Sequence, residues 1–132
     1  MDRAALVDVV REVAAEAIGI DPEAVGAESN LYDLGAQSLE FLDIVFKLEQ
    51  RYDIEITRGE LERAARGDMD DEAFAPDGVI SAVGLERLRE LIPESSARIV
   101  TGLRVSQILS LFSVETFTRI VERKLASQAE AS

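Results

Sequence analysis

Apolar residues recur at helical spacing from the start of the chain. Leu6, Val9, Val10, Val13, Ala14 and Ala17 fall on one side and Asp8, Glu12 and Glu16 on the other, which predicts an amphipathic helix ending near Gly19. Asp21 followed by Pro22 has the form of a cap and a first-turn proline and predicts one short turn through Val25. Residues 26–37 lose this periodicity and contain Ser29, Asn30 and Gly35. They read as an ordered loop, anchored to the core by Leu31 and Leu34.

The strongest helical signal covers residues 38–51, SLEFLDIVFKLEQR. On a wheel Glu40, Asp43, Lys47 and Gln50 share a stripe. Leu39, Leu42, Val45 and Phe46 are expected on the core side, and Phe41, Ile44 and Leu48 extend the apolar arc beyond it. An arc this broad either lies between two layers or offers apolar residues to a partner.

Thr57 and Glu60 have capping-box spacing and predict a short helix over 58–66 that stops at Gly67. The acidic run 68–72 leads to Phe74 and then to Pro76-Asp77-Gly78, a turn signal between two short apolar pieces that can pair as a small hairpin. Leu85, Leu88 and Leu91 mark a further helix before Pro93, and Val105, Ile108 and Leu109 a shorter helical piece. For the last helix Ser113 is the expected cap. Val114, Phe117, Ile120, Val121 and Leu125 face inward, and Arg119, Arg123 and Lys124 sit toward the carbonyl end, where the dipole favours cations. Fraying is expected over 127–132. The layout is all-α: a helical bundle with an irregular insert over 57–104, in a single domain spanning 1–132.

Length agrees, since 132 residues suffice for one core and not for two ordinary domains. No apolar run is long enough to span a bilayer and the N-terminus lacks a secretory pattern, so a soluble, cytoplasmic and monomeric protein is expected. The net charge is −12, which disfavours nucleic acid and anionic membranes. It is concentrated in residues 1–60, with 14 acids and 5 bases against 12 and 9 in the remainder, so partners with basic surfaces should meet the first half. Cysteine and histidine are both absent. That excludes disulfides, thiolate nucleophiles, zinc fingers and a Ser-His-Asp triad built from this chain alone, so self-contained hydrolase chemistry is not expected, and paired carboxylates remain possible only in principle. Asp68, Asp70 and Glu72 alternate as in a calcium loop, but Ala73 and Val79 occupy the positions that demand glycine and glutamate.

One constellation suggests chemistry. Ser38 opens the best helix and is reached through Leu34-Gly35-Ala36-Gln37. A glycine there permits a tight turn, and a hydroxyl at the helix start faces the positive end of the dipole, where a phosphodiester is favoured. By its position alone such a serine is most often a plain helix cap.

The stretch Asn30-Leu31-Tyr32-Asp33-Leu34-Gly35-Ala36-Gln37-Ser38-Leu39-Glu40-Phe41-Leu42-Asp43 resembles the attachment region of acyl carrier proteins, whose pattern is Gly-x-Asp-Ser-Leu. Leu48-Glu49, Tyr52-Asp53 and Ile54-Glu55-Ile56 are similar to the end and exit of that family's second helix, and residues 112–125 to its closing helix. The resemblance implies an acyl-carrier-like four-helix bundle with 4′-phosphopantetheine, taken from coenzyme A, attached at Ser38. It implies acyl cargo held as thioesters for fatty-acid, specialised-lipid or polyketide enzymes. It also implies a face read by partners, comprising Asp33, Gln37, Leu39, Glu40, Phe41, Asp43 and Glu49. Those partners are a phosphopantetheinyl transferase and acyl-loading, acyl-transfer or ketosynthase enzymes. Arg58-Gly59-Glu60-Leu61, Asp77-Gly78-Val79-Ile80 and Gly84-Leu85-Glu86-Arg87-Leu88 resemble the insert of specialised long bacterial members.

Gln37 departs from the pattern, standing where the family has an aspartate and removing a charge offered to the transferase. Loss of one rim charge slows encounter more than it prevents binding, because Glu40, Asp43, Glu49 and the overall field remain. Two alternatives stay open: an unmodified helical interaction protein that uses the second helix as a docking surface, and a peptidyl carrier.

Overall fold

A computed structural model describes residues 2–131. Helix α1 covers Arg3–Ile18, with the Asp2 carboxylate accepting from the Ala4 N–H at 3.2 Å. Gly19 ends it in the left-handed region at φ 86°, where glycine carries no Cβ penalty. The Asp21 carboxylate accepts from the Glu23 N–H at 3.0 Å and starts a 3-10 turn over Pro22–Ala24. Arg11 reaches across from α1 to donate to the Pro22 and Val25 carbonyls.

The following loop is ordered by pairing with a distant segment. The Leu31 N–H donates to the Phe112 carbonyl at 3.1 Å, the Val114 N–H to that of Ser29 at 3.1 Å, and the Asn30 amide to that of Ser110 at 2.8 Å. Leu31 is buried and Leu34 half-buried, as the anchor reading expects; Ala36, absent from that reading, is buried too.

Helix α2, Ser38–Tyr52, closes at Asp53 with φ 52°. Of the four residues expected to face inward, Val45 is half-buried against the core and the other three are not. Phe41, Ile44 and Leu48 are buried, whereas Leu39, Leu42 and Phe46 are 73%, 65% and 56% exposed. The apolar arc covers more than half of this helix, so periodicity could not choose which part of it faces inward. The choice is made by the partners: α2 packs on α1, and the Phe41 ring stacks on Phe117 with centroids 6.3 Å apart.

The insert begins with α3, Arg58–Arg66, where Thr57 Oγ1 accepts from the Glu60 N–H at 3.2 Å. The Glu60 carboxylate accepts instead from Lys124 Nζ at 2.9 Å, so it bridges to the last helix. Asp70 caps α4, Asp71–Phe74, and Ser81 caps α5, Ala82–Leu91. The hairpin expected around Pro76-Asp77-Gly78 does not form. The segment before the turn is taken up by α4, so Val79 pairs with Arg104, with the Ile80 N–H donating to the Leu103 carbonyl at 2.9 Å and the Val105 N–H to that of Gly78 at 2.9 Å. This bridge and Asn30–Ser113 are isolated, and no strand occurs among the described residues.

Two 3-10 segments, Pro93–Arg98 and Val105–Leu111, lead to α6, Val114–Ala131. Ser113 Oγ accepts from the Thr116 N–H at 3.1 Å, as a cap should. The helix continues beyond Ser127, where fraying is expected, through Ala131; Ser132 lies outside the described residues. This extra length places Arg119 and Lys124 in mid-helix. They make lateral ion pairs with Glu94 and Glu60, and Arg119 also donates to the Leu91 carbonyl at the end of α5, instead of meeting the terminal carbonyls of α6 itself.

Helix α1 packs on α2 and α6, and α3 on α5 and α6. Phe117 sits at the junction, edge-on to Phe112 at 5.6 Å. Full burial of each such ring contributes about 1.5–3 kcal/mol. No helix is long and apolar enough to cross a membrane among the described residues.

Candidate functional site at the start of helix two

The turn that presents Ser38 is set by Gly35, which adopts φ 107°, a value unfavourable to any residue with a Cβ. The Ala36 N–H returns to the Leu31 carbonyl at 3.0 Å, and the buried Ala36 pins the base of the turn. Gln37 is the N-cap residue, and its N–H donates to Glu40 Oε1 at 2.8 Å. Ser38 is therefore the first helical residue and not the cap. It is exposed, and its hydroxyl makes no hydrogen bond among the described residues.

A cleft of about 450 Å³ opens beside Ser38, lined by Tyr32, Gln37, Ser38, Phe41, Arg98, Ser106, Gln107, Leu109 and Ser110. A second cleft, of about 520 Å³, has Leu61, Ala65, Phe74, Ala75, Val105, Ile108, Leu109 and Phe112 as apolar lining, with Arg58, Glu62, Arg66 and Asp71 as its charged residues. Leu109 belongs to both. Arg98 and the 106–110 segment escaped the sequence reading. They lie more than fifty residues from Ser38, and no local pattern marks them as neighbours.

The expected docking residues divide. Leu39 is exposed, with Glu40 and Asp43 partly exposed beside it. Phe41 is 4% exposed and belongs to the core, so it has no surface to offer a partner. One Glu49 oxygen is committed, accepting from the Ile56 N–H at 2.8 Å. The Asp33 carboxylate is paired with the Arg98 guanidinium. Leu42 and Phe46, expected inside, instead join Leu39 on the surface at i, i+3 and i+7.

Behind the site, the Glu94 carboxylate accepts from Thr116 Oγ1 at 2.7 Å, Ser113 Oγ at 3.0 Å and the Arg119 guanidinium at 2.7 Å. Burial opposes its ionisation, but the Thr116 hydroxyl and Arg119 overcome this and hold the carboxyl below its usual range. The network fixes the end of the insert to α6.

A family model described as the phosphopantetheine attachment site matches residues 8–65, which contain Gly35, Ser38 and all of α2. Over 60 residues the chain is 43% identical to an acyl carrier protein of Campylobacter curvus, covering 45% of this chain and 78% of that one. It is 40% identical over 62 residues to one of Wolinella succinogenes, covering 46% and 82%. It is 36% identical over 55 residues to one of Bdellovibrio bacteriovorus, covering 41% and 70%. No solved structure matches the chain. With its helical architecture, its exposed serine-bearing turn and these similarities, the chain belongs to the acyl carrier proteins, non-catalytic carriers whose prosthetic group is 4′-phosphopantetheine.

Proposed function

We propose that Ser38 is the residue that carries 4′-phosphopantetheine, and that the protein presents acyl groups to fatty-acid, specialised-lipid or polyketide enzymes. The observation that carries this reading is the exposed Ser38 hydroxyl, left free by Gln37 at the cap and opening on a cleft of about 450 Å³. The residues fit the group: a phosphodiester at this oxygen lies at the positive end of the α2 dipole, and the polar side chains of Gln37, Ser106, Gln107 and Ser110 suit the start of an amide-bearing arm. When bound, the group supplies the thiol that a chain without cysteine lacks.

The protein's own residues have two tasks in this reading. The exposed stripe Leu39, Leu42 and Phe46 makes short-range contact with partners, and the carboxylates of Glu40 and Asp43 steer them. The apolar cleft between α3, α4 and the 105–111 segment shelters the cargo's hydrocarbon, with Leu109 between it and the Ser38 side. Its volume lies within the range of small-molecule sites. Part of that cleft is built by the insert, which favours a specialised long carrier with a dedicated acyl chain.

Intact mass after co-expression with a broad-specificity phosphopantetheinyl transferase tests the assignment. The expected result is a gain of one phosphopantetheinyl group in the wild type and none in Ser38→Ala. A wild type that stays unmodified favours the interaction-protein reading, and a gain that persists in Ser38→Ala moves the attachment elsewhere.

A further inference from the structure

The arrangement of charge around Ser38 is unusual for so acidic a chain. Residues 1–60 hold 14 acids and 5 bases, yet the cleft beside Ser38 has Arg98 on its lining and no carboxylate. Arg98 ends the 3-10 segment Pro93–Arg98, the piece of the insert that Glu94 fastens to α6. Its guanidinium pairs with Asp33, five positions before Ser38, and its side chain remains 39% exposed. Gln37 adds no charge, and Glu40 is occupied by the Gln37 N–H. An anion attached at Ser38 would thus meet one positively charged side chain, carried on a fixed backbone and held next to the turn by Asp33.

We propose that Arg98 is a phosphate-binding residue, which contacts the phosphodiester of the prosthetic arm once Ser38 is modified. The inference rests on Ser38 as the attachment point. A guanidinium presents five donors and takes two oxygens at once. Arg98 can therefore keep Asp33 on one edge and accept the phosphodiester on another, so the ion pair already formed serves to orient it. No proton moves and no bond is made beyond the hydrogen bonds. The consequence is positional: the root of the arm is held against the insert, on the side of Leu109, instead of swinging freely over α2.

The test compares the 15N-labelled apo protein with the same protein after transferase loading. The Arg98 Nε–H signal is assigned by its disappearance in Arg98→Gln. It should shift on loading in the wild type and shift less in Asp33→Asn, where Arg98 has lost the carboxylate that orients it. The 31P line of the loaded protein should narrow in Arg98→Gln as the root of the arm is released. A loaded wild type whose Arg98 signal stays where it was in the apo form, with an unchanged 31P line in Arg98→Gln, overturns this role and leaves Ser38 as the attachment point. Absence of any mass gain on loading overturns both.

Discussion

Glu94 shows how much one side chain does here. Its side chain is 8% exposed, and its carboxylate joins the insert to Ser113 at the cap of the closing helix and to Thr116 and Arg119 within it, while Arg119 also faces Glu115 at 3.5 Å. Since the folded state holds the Glu94 carboxyl below its ordinary value, the stabilisation it contributes is present above the unfolded value and is lost as pH falls through the folded one. Replacement by Gln keeps the shape and removes the charge. Glu94→Gln should cost about 1.5–3 kcal/mol at pH 7, the range for hydrogen bonds to a charged group. The gap from the wild type should close as pH is lowered below about 4.5, the ordinary carboxyl value. Urea melts of both proteins at pH 7 and pH 3 measure this directly. A gap that does not narrow at all between pH 7 and pH 3 would assign the effect to packing.

At the scale of the element, α2 has two apolar faces with opposite uses. One face meets α1 and the Phe117 ring; the other carries Leu39, Leu42 and Phe46 at the surface. Phe41→Ala should therefore lower stability by about 3–5 kcal/mol, as expected for a ring removed from a close-packed site. Leu42→Ala should change stability by less than about 0.5 kcal/mol and yet slow transferase loading by about tenfold, if it supplies one strong contact at that interface. Denaturant midpoints and loading rates separate the two. Equal effects of both substitutions on stability would show that the surface stripe is structural. The amphipathic elements were legible in the sequence: α3 and α6 begin where Thr57 and Ser113 predict, and α1 and α5 lie where apolar spacing alone marks them. The facing of α2 was not, because its apolar residues leave no polar side wide enough to exclude the wrong orientation.

At the scale of the whole molecule, the insert is tied to the bundle at separate points: Glu94 with Arg119, Glu60 with Lys124, and the buried packing of α3 on α6. Gly84 joins parts of the insert to one another. A Cβ there would lie 2.6 Å from the Phe74 carbonyl oxygen and 2.8 Å from Ile80 Cγ2, too close for either to remain in place. Gly84→Ala should cost about 1–3 kcal/mol by overpacking. If insert and bundle unfold together, as a single domain requires, the thermal transition should stay single and move down as a whole, and loading of Ser38 should persist below it. Two resolved transitions would instead make the insert an independent unit.

The sequence by itself determined the longer helices α1, α2, α3, α5 and α6, the caps at Asp21, Thr57 and Ser113, and the serine-bearing turn. Each of these depends on residues within a few positions of one another: Gly35 supplies a backbone angle, Asp21 and Ser113 supply acceptors, and period 3.6 marks a buried stripe. Only the tertiary structure decided which side of α2 is covered, that Val79 pairs with Arg104 in place of a local hairpin, and that Arg98 and the 106–110 segment stand beside Ser38. The division follows from contact range. Local hydrogen bonding and periodicity leave a signature in neighbouring residues, whereas contacts between residues distant in the chain are chosen by which surfaces pack, and no short pattern records them.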